Sequence, residues 1–240
     1  MLKNGVLFFL VFAFGAAAVA VGQGRDSADH LAFGNLAYLR GQYQLAITEY
    51  NQVLSEIGGN RSTAHYNIGV CYQHMERLNE AADHYEAAIE MREGRYPVAS
   101  YALGVTLEGL GRLEEAKQAF QQAIRASGGS NSAATFEIGL ISQAQGDLAA
   151  AARAYKDAIP ASSGRNAASC HNNLGIVLAI SGEYSQAERE FMVAVNQSRG
   201  KLVEARRNLA LCKQLHDSPG LLASLRVSSV RVLPVPEAGV

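Results

Sequence analysis

The sequence carries no cluster of positive charge. Its 21 lysines and arginines are spread over 240 residues and offset by 22 acidic ones, for a formal net charge of −1. Nucleic-acid recognition needs clustered basic residues to neutralise phosphates, so no nucleic-acid partner is expected. Cysteine is scarce. Cys71, Cys170 and Cys212 are an odd number scattered along the chain, which makes no disulfide framework and reads as buried structural thiols. Catalytic motifs are missing as well: no phosphate-cradling glycine loop, no His-Glu-x-x-His, no Cys-x-x-Cys and no Gly-x-Ser-x-Gly. An enzyme, a cofactor and a small-molecule substrate are therefore not expected. Cys71 and His74 share a helix face and His65 and His84 lie in one unit, but without a fourth ligand they read as ordinary side chains and no metal is expected.

Charge is also absent from the start of the chain, where Lys3 stands alone before Arg25 and Gly5 to Gly22 is an unbroken apolar run ending in Ala18-Val19-Ala20. A positive start, an apolar middle and an Ala-x-Ala exit form a secretory signal peptide over residues 1–20. The alternative is an uncleaved anchor, because eighteen apolar residues reach the short end of a membrane span. With no cysteine near the exit, a lipoprotein attachment site is not expected. The chain is thus expected outside the cytoplasm, periplasmic or secreted, or tethered to the membrane through residues 5–22.

What the chain has in abundance is repetition. Phe33-Gly34, Ile68-Gly69, Leu103-Gly104, Ile138-Gly139 and Leu174-Gly175 fall 35, 35, 35 and 36 residues apart. Twelve residues after each glycine stands an alanine (Ala46, Ala81, Ala116, Ala151, Ala187), and four residues later a large aromatic (Tyr50, Tyr85, Phe120, Tyr155, Phe191). Apolar residues three and four apart, such as Ile68, Cys71 and Tyr72, then Leu78, Ala81, Ala82, Tyr85, Ala88 and Ile89, describe two amphipathic helices per unit. The repeat glycines and alanines would let the paired helices approach closely. Gly41, Gly111, Gly146 and Gly182 mark the break between them, where the second unit has Glu76.

After a linker over 21–26, the units occupy 27–61, 62–96, 97–131, 132–167 and 168–199. A polar half-unit over 200–216 serves as a capping helix, and 217–240 is a flexible or extended tail with late prolines Pro234 and Pro236. Short helices of this kind are marginal alone, so stacking is obligatory.

The segment Ala64-His65-Tyr66-Asn67-Ile68-Gly69-Val70-Cys71-Tyr72, followed by Leu78, Ala81, Tyr85 and Ala88, resembles the tetratricopeptide repeat, as do the other four units. The family's large aromatic four residues before the glycine is replaced by His30, His65, Ser100, Thr135 and His171. The resemblance implies an all-α, right-handed superhelical solenoid of five helix-turn-helix repeats plus the cap, acting as a non-catalytic scaffold for a protein or peptide partner. The alternatives are a membrane-anchored envelope assembly factor and a non-catalytic subunit of an enzyme complex.

On the face that the resemblance places on the concave side, Tyr66, Val70, Tyr101, Val105, Phe136, Leu140 and Ile176 are expected to line a peptide-binding groove. A polyproline-type ligand with an apolar residue at every third position would meet successive rungs. Asn67, Asn173 and Asn208 stand at equivalent places with Ala32, Ala102 and Glu137 interrupting them, an incomplete form of the asparagine ladder found in arrays attached to sugar-transferring enzymes. The tail could also fold back as a stand-in ligand.

Overall fold

The computed structural model describes residues 26–56, 60–215, 218–228 and 234–238. The apolar start, with its expected signal peptide or anchor, and nearly all of the linker lie outside the described residues. Among the described residues there are eleven α-helices and no strand. They form five hairpins: α1 (Ser27–Leu39) with α2 (Tyr43–Ser55), α3 (Arg61–His74) with α4 (Leu78–Met91), α5 (Pro97–Gly109) with α6 (Leu113–Ala126), α7 (Ser132–Ala144) with α8 (Leu148–Ala158), and α9 (Gly164–Ile180) with α10 (Tyr184–Gln197). The cap α11 (Val203–Cys212) follows, then a 3-10 helix over Pro219–Ser224. The helix within the tail was not expected, and α9 begins four residues ahead of the unit boundary drawn at 168. Each helix packs on the one before and the one after it, and α9 also meets α11, so the array is a solenoid built from near neighbours. No helix among the described residues is long and apolar enough to cross a membrane.

The repeat register has one physical cause. At Gly34, Gly69, Gly104, Gly139 and Gly175 the aromatic ring sixteen residues on lies against the glycine backbone, and an added Cβ would come within 2.4–2.7 Å of that ring. The rings of Tyr50, Tyr85, Phe120, Tyr155 and Phe191 are fully buried, as are Ala46, Ala81, Ala116, Ala151 and Ala187. Close approach is thus real, but it is the ring that fills the space over the glycine.

Between helices, Gly111 takes φ +75, a left-handed conformation that ends α5, and its N–H bonds the Glu108 carbonyl. Glu76 holds the same place in the second hairpin at φ 59, where its Cβ is crowded. Glu76→Gly relieves that strain at the cost of a freer unfolded chain. The balance is expected to stabilise by about 0.5–1 kcal/mol, read as a higher urea midpoint with an unchanged slope. Side-chain caps fix several helix starts: Asn60, Asn131 and Asp147 accept from the N–H groups of Thr63, Ala134 and Ala150. The three thiols are free and buried, and burial pushes Cys71 up to about 12 and Cys170 up to about 11, which leaves them protonated and inert.

Candidate functional site

The tail returns across the face made by the first helices of the hairpins. Leu225 is buried in the same apolar cluster as Ile176, Leu178, Cys212 and Leu215, which seats the tail against the fifth hairpin and the cap. From there the contacts become polar and regular. Asn208 on α11 accepts the Arg226 N–H at 2.8 Å and donates to the Arg226 carbonyl at 2.8 Å. Asn173 on α9 repeats the arrangement on Ser228, with both bonds at 2.8 Å. Asn67 on α3 repeats it on Glu237, accepting from its N–H at 2.7 Å and donating to its carbonyl at 2.8 Å.

A side-chain amide offers one acceptor and a two-proton donor in the geometry of a peptide group, so each of these asparagines pairs with one residue as a neighbouring strand would. All three are fully buried, and their bonds satisfy polar groups that would otherwise be costly to bury.

Two further asparagines lock the rungs in place. Asn208 donates to Asn172 Oδ1 at 2.9 Å, while Asn172 Nδ2 lies within reach of Asn173 Oδ1, the Arg226 carbonyl and Ser228 Oγ. At the other end Asn67 donates to Asn35 Oδ1 at 3.2 Å, Tyr50 donates to the same oxygen at 2.7 Å, and Asn35 donates to the Glu237 carbonyl at 3.2 Å. The tail therefore runs from the cap back towards the first hairpin. Neighbouring rungs on α11 and α9 take residues two apart instead of the expected three, and Asn172, bonded to both Asn208 and Asn173, bridges the two amides.

The apolar residues expected along the groove are placed otherwise. Tyr66, Val70, Tyr101, Val105, Phe136 and Ile176 are all buried, and Leu140 is half-buried. With the tail in place these residues form no apolar stripe open to water. The rings of Tyr66, Tyr101 and Phe136 lean on Tyr85, Phe120 and Tyr155 of their own hairpins at centroid distances of 5.5–5.7 Å, so this ladder is part of the core. Of the seven, Tyr66 meets the tail, its hydroxyl reaching the Val235 backbone, and Leu140 borders the same hollow as Val227.

The histidines that replace the family's aromatic also find partners on the second helix. His30 bonds Glu49 at 2.8 Å and His171 bonds Glu190 at 2.6 Å, while His65 and His84 face each other with their Nδ1 atoms 3.0 Å apart. His84 is pushed down to about 4 by burial and then by His65, with Asp83 opposing; burial and then Arg61 lower His65. Tyr72 packs against His84, and no group of three metal-ligating side chains occurs among the described residues.

Both folded values lie below the unfolded imidazole, so the unfolded chain binds more protons between about pH 6.5 and 4. The stability is complete above that window and is lost as pH falls through it. His84→Gln is expected to flatten the fall in melting temperature between pH 7 and pH 4.5, measured by circular dichroism.

In the sequence, Asn67, Asn173 and Asn208 read only as an interrupted ladder. Their equivalence, each two residues before a repeat glycine or its counterpart Ala210, was the available signal. Asn35 and Asn172 stand at the repeat places of Val70 and Tyr66, on the two lines expected along the groove, and the tail shows what they bind there.

A tetratricopeptide-repeat family model matches residues 26–94 and 60–128, and a second matches 101–166 and 137–201. A search of curated protein sequences found no match. Among solved structures, the chain is similar to MamA from Desulfovibrio magneticus RS-1, with 16% identity and a TM-score of 0.62 over 74% of this chain and 98% of that one. It is also similar to PilF of Pseudomonas aeruginosa (21%, 0.60, over 81% and 93%) and to YrrB, described as a repeat protein of this type with an unusual peptide-binding site (22%, 0.60, over 80% and 95%). At these identities the likeness shows the fold.

Proposed function

Because the chain belongs to the tetratricopeptide-repeat family, in general a family of interaction scaffolds, we propose that it is an exported scaffold that holds an extended segment of a partner protein on its first-helix face. The observation that carries this is the set of paired hydrogen bonds from Asn67, Asn173 and Asn208 to the backbone of the chain's own tail. A face that binds one strand through its backbone can bind another, since backbone bonds give affinity with little regard to side chains. The tail then acts as a resident stand-in that a partner must displace, with Tyr66 bonded to the strand and Leu140 lining the hollow beside it. The peptide-binding description of YrrB supports the same reading by analogy.

Export rests on the composition of residues 1–20, and the mass of the mature N-terminus separates a cleaved signal from an anchor kept through residues 5–22. The groove is tested with a photo-crosslinking residue at position 140. In purified protein it is expected to link to the tail near Val227. In cells it is expected to give an additional adduct with a partner, lost on Asn173→Ala. A link confined to the tail under both conditions contradicts the scaffold role of this face.

A further inference from the structure

The two ends of the tail are held differently. At Arg226 and Ser228 the asparagines meet backbone and a neutral serine hydroxyl, whereas at Glu237 a carboxylate side chain is also bound. Tyr96, just ahead of α5 and 2% exposed, donates its phenolic hydroxyl to Glu237 Oε2 at 2.5 Å. The guanidinium of Arg92 lies 3.8 Å from the centroid of the Tyr96 ring and is held by donating to Ser62 Oγ at 2.9 Å and Thr63 Oγ1 at 3.2 Å. A cation set against the ring makes the phenol a better donor and places positive potential beside the carboxylate. A lysine at this place would offer no acceptor and would face a like charge.

The flanking residues fit the same site. Pro234 is buried and Pro236 half-buried. Neither has an N–H to leave unsatisfied, and Pro236 biases Val235 towards the extended backbone that the face requires, which lowers the ordering cost of docking. Between them Val235 presents its backbone to the Tyr66 hydroxyl.

We infer that Asn35, Asn67, Tyr96 and Arg92 form a subsite for an extended Pro-x-Pro-Glu strand of a partner protein, occupied at rest by Pro234–Ala238. This rests on the groove reading above and narrows the partner to proline-flanked acidic segments.

The test keeps the full chain and disables its tail with Ser228→Pro and Glu237→Pro, which delete two N–H donors to the rungs and leave the solenoid untouched. A labelled synthetic peptide of residues 225–238 is titrated onto this protein, with glutamate or with glutamine at the place of residue 237. The glutamate peptide is expected to bind at least about tenfold more tightly, as hydrogen bonds to charged groups warrant, and Tyr96→Phe is expected to bring the ratio close to one. Equal affinities for the two peptides overturn the subsite and leave the backbone-binding face standing. A glutamate preference that survives Tyr96→Phe overturns the assignment to these residues. Binding of neither peptide overturns the subsite, and the crosslink at position 140 then decides the fate of the groove separately.

Discussion

Gly104→Val is expected to unfold the middle of the solenoid. A Cβ at residue 104 would stand 2.6 Å from Phe120 Cε1 and 2.7 Å from Cδ1, and the ring cannot withdraw because it is fully buried and leans on Tyr101 at 5.5 Å. Forcing a methylene into a filled core costs about 1–3 kcal/mol, and valine brings three carbons, so a loss above about 3 kcal/mol is expected. That is a large share of the stability of an ordinary domain. Because each hairpin depends on its neighbours, the urea transition is expected to shift to lower concentration and to broaden as the halves uncouple.

Two controls identify the cause. Gly109→Ala, whose added Cβ meets only the tip of Leu78 at 3.1 Å, is expected to change little. Phe120→Leu placed in the Gly104→Val background is expected to restore part of the loss, a coupling that independent sites would not show. A Gly104→Val protein with the wild-type midpoint contradicts the ring-over-glycine account of the repeat.

The second large effect concerns the tail. Asn67→Ala with Asn173→Ala removes four hydrogen bonds to Glu237 and Ser228 and leaves their N–H and C=O groups to find water. At about 0.5–1.5 kcal/mol each, the loss is about 2–6 kcal/mol of docking free energy. Trypsin cleavage after Arg226 is then expected to accelerate by roughly 30-fold or more, because cleavage follows the population of the released tail. The solenoid's own melting is expected to move far less. An unchanged cleavage rate would mean that Leu225 and its apolar neighbours, not the asparagines, hold the tail.

The contrast between these two features shows what the residues announce by themselves. The glycine, alanine and aromatic of each hairpin meet only one another, at offsets that recur five times, so their spacing states their contact. Tyr66, Tyr101 and Phe136 recur with the same period, but period alone does not separate a side chain turned to its own second helix from one turned outward, and the rings proved to be core. The asparagines carry meaning only with a strand laid across them. Asn67 and Glu237 are 170 positions apart, and no local pattern links them. The idea of a returning tail was within reach of the sequence, from its length, its late prolines and its lack of helical period. Its register and the glutamate contact to Tyr96 were not.

Amide hydrogen exchange at Arg226, Ser228 and Glu237 tests the central proposition most directly, since their N–H groups donate to Asn208, Asn173 and Asn67. Slow exchange at all three, returning to free-peptide rates when the matching asparagine becomes alanine, is the predicted result. Exchange at free-peptide rates in the unaltered protein would contradict a strand held by asparagine rungs.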